Sequence, residues 1–215
     1  MDRAPEFIAQ VSIWAVPILL AIIIHEVMHG VVARALGDDT ALRAGRLTLN
    51  PLAHIDLFGT IIMPAMLLFF HLPVFGYAKP VPVNFGRLRD PRTGMIVVAA
   101  AGPVTNFTLA FLSGVALRGL IGHLYGPAGH AIVYPLALMM RASVIINVEL
   151  AVFNLLPLPP LDGGRVVTGL LPRPLARQFA RIERYGFLIL LLLLYMNVVD
   201  KLIDPVISAI AAALL

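Results

Sequence analysis

Long uninterrupted apolar runs dominate the chain, with little of the alternation or one-sided helical period of a soluble fold. They cover roughly 9–36, 94–121, 131–156 and 185–199 with its apolar continuation. A membrane-spanning helix needs about 20 mostly apolar residues, so each run predicts a span. LFGTIIMPAMLLFFHL, 57–72, is shorter and carries Pro64 near its centre, which makes it a marginal span or a re-entrant segment. KLIDPVISAIAAALL, 201–215, is also short and either spans or lies flat. GYAKPVPVN, 76–84, alternates valine with proline and predicts a short membrane-associated β strand or hairpin, because proline in a strand is confined to edges. An exposed edge of that kind can accept an extended peptide by strand addition, which makes Val81 and Val83 candidate substrate contacts. The expected architecture is an all-α polytopic membrane protein with about four to six membrane segments, folded as one domain over 1–215.

Composition agrees. The chain is 60% hydrophobic and 13% charged, with a mean hydropathy of +0.91, whereas soluble domains are about 25% charged. The net charge of +4 does not require nucleic acid. It reflects where the basic residues fall: 12 of the 16 lysines and arginines, from Arg34 to Arg184, fall on one predicted face, which the positive-inside rule makes cytoplasmic. RPLARQFARIERYG, 173–186, reads as a basic amphipathic helix on that surface. A cleavable signal peptide is a poor reading of the N-terminus, since the run from Val11 to Leu36 exceeds an h-region. The chain contains no cysteine, so a metal site must use His, Asp, Glu or Asn.

Three polar groups interrupt the first run at HEVMH, 25–29. Each ionisable group inside a span costs about 2.5–3.5 kcal/mol by insertion scales. His25 and His29, four apart on a helix, share a face and can bind one ion. Glu26, about 100° round the helix, can reach a metal-bound water as a general base. A hydrolytic zinc needs a third protein ligand, and Asp162, Glu149, Asp56 and His54 are the candidates on the same side. Asp162 in NLLPLPPLDGG, 154–164, follows a span that ends on that face, although an aspartate there also suits a helix cap. If the two clusters meet, residues 38–93 must leave and return to one face, with 57–72 re-entrant or paired with the limb to Asn84. Asn154 suits holding a substrate carbonyl or an oxyanion, and equally a bond to a backbone carbonyl freed by Pro157 or Pro159. Asn106 reads as interhelical glue, and Glu149 first as a partner of Arg141 eight residues away, then as a partner of Asn147 or as lining for a water path to the metal.

HEVMH together with NLLPLPPLDGGR resembles the site-2 protease family of intramembrane zinc metalloproteases. GRLTLNPLAHIDLFGT, GYAKPVPVN and AAGPVTN extend the resemblance, in order, over most of 20–170, and point to short members without PDZ or CBS domains. The resemblance implies one Zn2+ per chain held by His25, His29 and Asp162, with Glu26 as base and Asn154 near the substrate. It also implies cleavage of a transmembrane protein near the cytoplasmic face of a prokaryotic inner membrane. Lipid and that substrate are the expected partners, nucleic acid is not, and a second copy of the chain is allowed. The rival classes are a divalent-metal transporter, which shows metal flux and no peptide product, and a non-catalytic binder of membrane helices.

Overall fold

A computed structural model describes residues 4–72, 76–123 and 129–215. The first helix, α1, covers Ala4–Ala35, and its 26-residue apolar part, Gln10–Ala35, is about 39 Å long at 1.5 Å per residue. Gly37 ends it in the left-handed region at φ +110°. Gly37 N–H bonds to Arg34 O and Asp38 N–H to Ala33 O, the paired bonds of a Schellman end, which a side-chain-bearing residue at 37 would strain.

A short turn of helix, α2 (Thr40–Arg43), follows. A π-helical turn, Leu57–Ile62, runs directly into α3, Met63–Phe69, so Pro64 lies inside a continuous helical stretch and its missing N–H leaves a carbonyl of the turn before it without a helical donor. The chain then doubles back: Tyr77 N–H bonds to Gly59 O at 3.1 Å and Lys79 N–H to His54 O at 2.9 Å. The return limb expected for this region is therefore present, and its first part beyond His71 and Leu72 lies at 73–75, outside the described residues.

No strand occurs among the described residues, and the expected β strand or hairpin at 76–84 is replaced by an extended, unladdered segment. The cause is local. Pro80 and Pro82 have no N–H to donate, so one edge of the segment cannot sustain a ladder.

Asp90 caps α4, Pro91–Ile121, by accepting from Arg92 N–H and Thr93 N–H, with Pro91 at the first position. A π-helical turn, Gly129–Val133, opens α5, Tyr134–Asn154. The next helix, α6, covers Asp162–Leu170, and α7 covers Arg173–Ala180. The amphipathic stretch at 173–186 breaks after Ala180, and α8 starts at Glu183 and ends at Tyr195. The last helix, α9, covers Val198–Leu214.

Among the described residues, helices α1, α4 and α5 are the three long and apolar enough to cross a membrane, and α8 with α9 makes a fourth if that pair, bent by 76°, counts as one broken span. The bend falls at Met196 and Asn197, where Asn197 adopts φ 55°. One end of the pair packs Gly186 on the Pro159 carbonyl. At the other end Arg118 of α4 donates to the Ala213 carbonyl at 2.9 Å. The core lies along α4. Ala110, Val144 and Val148 join α4 to α5 and to Ile207, Ile210 and Leu214 of α9. Ala21, Ala142 and Ile146 join α1 to α5. This is an integral membrane protein, and α4 is the helix against which α1, α5, α6 and α9 all pack.

Candidate metal centre

The HEVMH turn lies in the last third of α1, and its two imidazoles face α4. His29 Nδ1 is 2.7 Å from the carbonyl of Val98. His25 Nδ1 is 2.5 Å from Oδ1 of Asn106. Both partners are acceptors, so each ring carries a proton on Nδ1, and the neutral imidazole then turns its Nε2 lone pair inward. The two Nε2 atoms stand 3.1 Å apart.

Asp162 opens α6 beside them. Its Oδ2 lies 3.1 Å from His25 Nε2 and 3.3 Å from His29 Nε2. The first turn of α6 reaches this depth because Gly163 and Gly164 have no Cβ: one at Gly163 would stand 2.2 Å from Leu155 O, and one at Gly164 2.4 Å from Pro159 N. The helix-cap alternative for Asp162 does not hold, since the cap position is Leu161 and no side-chain cap bond forms there.

These residues fit a zinc ion. With both rings neutral and their protons on Nδ1, the inner cluster is three lone pairs, and Asp162 Oδ2 is a buried oxygen without a hydrogen bond. Three acceptors at van der Waals contact in a buried site repel one another unless a cation lies among them. Ligands about 2.0–2.1 Å from a tetrahedral zinc stand about 3.3 Å apart, close to the separations seen. The wall opposite is a glycine: a Cβ on Gly102 would lie 2.5 Å from His25 Cε1 and 2.6 Å from both Nε2 atoms. His25, His29 and Asp162, all buried, form a group whose ligand atoms lie within 4.8 Å of one another.

The other candidate ligands lie elsewhere. His54 is engaged by the carbonyl of Thr48 at 2.8 Å, and Asp56 caps the N–H of Gly59 at 2.7 Å. Glu149 does not pair with Arg141: among the described residues no such ion pair forms, and the charge that acts on Glu149 is Asp204 of α9.

Glu26 points toward the extended limb, where its Oε2 accepts from the N–H of Val81 at 3.0 Å. The limb has a definite polarity. Tyr77, Lys79 and Val81 all turn their N–H groups toward the protein, and Lys79 O accepts from Arg46 at 2.7 Å on the same side. Alternation then turns Ala78, Pro80 and Pro82 outward. The side chains of Val81 and Val83 face inward. Val81 lies against Gly30 of α1, and Val83 packs with Ala33, Leu88 and Val98. Asn154 donates one amide hydrogen to the Leu150 carbonyl at 2.9 Å and is not among the groups converging on the histidines.

Two supports had no reading as site residues in the sequence. Asn106, expected only as glue between helices, is the partner of His25. Arg92 donates to the carbonyls of Gly169, Leu170 and Leu171 at 2.7, 3.0 and 2.9 Å, clamping the far end of the helix that carries Asp162. At the limb's end Asp38 is fully buried and accepts from Thr40 N–H, the Thr40 hydroxyl and Asn84 N–H. Burial alone pushes its carboxyl up, but those hydrogen bonds, with the Arg87 charge, hold it below the usual carboxylate range.

The family model of peptidase family M50 matches residues 115–194. The chain is 37% identical over 196 residues to "Putative zinc metalloprotease YwhC" of Bacillus subtilis, covering 90% of this chain and 85% of that protein. It is 30% identical over 189 residues to "Putative zinc metalloprotease Rip2" of Mycolicibacterium smegmatis, covering 87% and 67%. It is likewise 30% identical over 147 residues to "Putative zinc metalloprotease MJ0611" of Methanocaldococcus jannaschii, covering 67% and 63%. No solved structure matches.

Proposed function

The chain belongs to peptidase family M50, the site-2 protease family of zinc metalloproteases, and on that premise we propose that it is a single-domain intramembrane endopeptidase. Its substrate is another membrane protein, cut in or near a transmembrane helix on the cytoplasmic side of a prokaryotic cell membrane. The observation that carries this reading is the convergence of three bare lone pairs, from His25, His29 and Asp162, inside the helix bundle and beside Glu26.

His25, His29 and Asp162 are the proposed ligands. A zinc ion held there polarises a carbonyl and lowers the pKa of water to about 7. Glu26 is the proposed base: its carboxylate takes one proton from the attacking water as the water oxygen bonds to the scissile carbonyl carbon. The same carboxylate then gives that proton to the amine nitrogen as the carbon–nitrogen bond breaks. Val81 N–H holds the carboxylate in place for both transfers.

The substrate helix must unwind locally, because its own backbone bonds shield its carbonyls. The outward carbonyls of Ala78, Pro80 and Pro82 are suited to hold the N–H groups of the unwound stretch, with Val81 and Val83 fixing that edge from behind by packing inward. Prolines at two of the three outward positions leave that edge rich in acceptors. Asn154 has a second amide hydrogen beyond the one used at Leu150, and that hydrogen is the proposed contact to a substrate carbonyl.

Purified protein in proteoliposomes with single-span substrates tests the reading. Glu26→Gln should keep its zinc and release no new peptide by mass spectrometry, whereas His25→Ala should lose both zinc and product. Cleavage by Glu26→Gln would remove the assigned base, and zinc flux without peptide product would convert the protein into a transporter.

A further inference from the structure

His25 owes its tautomer to side chains, unlike His29, whose Nδ1 faces a backbone carbonyl. A chain of buried amides leads from His25 across three helices, and its far end is fixed. The Ser143 carbonyl on α5 can only accept, and Asn147 donates Nδ2 to it at 2.9 Å, with Ser143 Oγ at 3.2 Å. Asn147 therefore presents Oδ1 to Asn106, whose Nδ2 donates to it at 2.7 Å and to a second obligate acceptor, Ala21 O, at 3.3 Å. Only Oδ1 of Asn106 is left for His25 Nδ1. An amide oxygen cannot donate, so Nδ1 carries a proton, and the neutral imidazole has its lone pair on Nε2, toward His29 and Asp162. Asn106 and Asn147 are 0% and 1% exposed, so both amides are closed off from bulk solvent.

We propose that Asn106 and Asn147 are positioning residues that set the protonated nitrogen of His25 from α5, by way of α4, and so prepare its Nε2 to bind the metal. This rests on the zinc reading of the site. If the asparagines were only glue between helices, losing them would lower stability and leave the affinity of folded protein for zinc unchanged. A relay acts on affinity: outer partners of metal-ligating histidines typically govern about 10–100-fold in metal binding. It also orders the variants, because Asn147 touches neither ring and can act on His25 only through Asn106.

The experiment is chelator competition for zinc on purified, detergent-solubilised apoprotein, paired with its melting temperature and the 15N spectrum of labelled histidine. Wild type should take up one zinc, and Asn106→Leu should bind about 10–100-fold more weakly. Asn106→Asp, which still accepts from Nδ1–H but leaves Asn147 Oδ1 and the Ala21 carbonyl without a donor, should bind more tightly than Asn106→Leu and more weakly than wild type. Asn147→Leu should weaken binding and shift the apo His25 spectrum toward mixed tautomers, and it carries the test alone if the Asn106 variants fail to fold. The double Leu variant should bind no more weakly than Asn106→Leu, since one path is lost once. Wild-type affinity in Asn147→Leu with only a lower melting temperature, or losses that multiply in the double variant, would overturn the relay while leaving the zinc site standing. A wild type that takes up no zinc would overturn the zinc reading, and the relay with it.

Discussion

The backbone N–H of Val81 donates to the carboxylate of Glu26 at 3.0 Å across 55 residues of sequence. The proposed base and the limb proposed to receive substrate are thus one mechanical unit. Any displacement of the limb moves the donor that holds the carboxylate. Tyr77 and Lys79 anchor the limb with the same inward N–H polarity, and Arg46 fastens Lys79 from its carbonyl.

Val81→Pro removes that donor while keeping an extended backbone, since Pro80 and Pro82 already flank the position. A hydrogen bond to a charged group is worth about 1.5–3 kcal/mol, so turnover should fall by about tenfold or more. Zinc content should not change. Val81→Ala, which keeps the N–H and loses only packing against Gly30, should retain most of the rate. Equal turnover for the two variants would show that the bond does nothing for Glu26.

Gly102 is the wall of the metal centre, and Gly102→Ala is the smallest change that fills it. Alanine favours a helix by about 1 kcal/mol over glycine, so α4 itself should not suffer. The added methyl would stand 2.6 Å from both Nε2 atoms, and two rings tethered at Nδ1 cannot retreat. Elemental analysis should find zinc far below one per chain in a protein whose circular dichroism matches wild type. Full zinc occupancy in this variant would mean that the ion lies elsewhere.

How much of this was legible beforehand depended on how local each signal is. His25, Glu26 and His29 lie within one helical turn, and a helix converts their spacing into a shared face without outside help. Asp162 could be named because the parity of the spans brings it to the same side, yet only packing at Gly163 and Gly164 distinguishes it from a cap. Asn106 was legible as a buried polar residue but not as the partner of His25, since that pairing depends on the rotation of α4 against α1. Valine alternation in 76–84 does not make a strand: the prolines strip donors from one edge, and the N–H groups of the other go to Gly59 O, His54 O and Glu26 rather than to a partner strand. The bend at Asn197 hides in LLLLYMNVVDK, where one residue in the left-handed region redirects an otherwise continuous apolar run.

Arg92 offers a test of how α6 is held. Its guanidinium spreads over three carbonyls at the C-terminal end of that helix, the end where the helix dipole favours a cation. Arg92→Ala should lower the melting temperature, at about 1–3 kcal/mol of lost charged hydrogen bonding. It should also weaken zinc binding, because Asp162 rides on the loosened helix. Arg92→Lys should recover only part of both, a single ammonium being unable to span what a planar fork does. Unchanged zinc affinity in a destabilised Arg92→Ala would separate the clamp from the metal centre.

Asp38 gives the limb a pH dependence whose sign follows from its surroundings. At the end of α1 it accepts one hydrogen bond from Asn84 N–H at the end of the limb and two from Thr40, a set that only the carboxylate accepts in full. Burial opposes its charge, but those bonds and Arg87 hold its folded pKa below the ordinary value, which is about 3.9 in an unfolded chain. A group depressed on folding contributes stability that is fully present above its unfolded pKa and is lost as pH falls through its folded pKa. The difference in melting temperature between wild type and Asp38→Asn should therefore be constant from pH 7 down to about 5 and shrink below about 4. Taking the difference cancels other carboxylates, such as Asp90, whose bonds to Thr93 depress it in the same direction. A gap between the two proteins that stays constant down to pH 2 would show that the Asp38 charge does not tie the limb to α1.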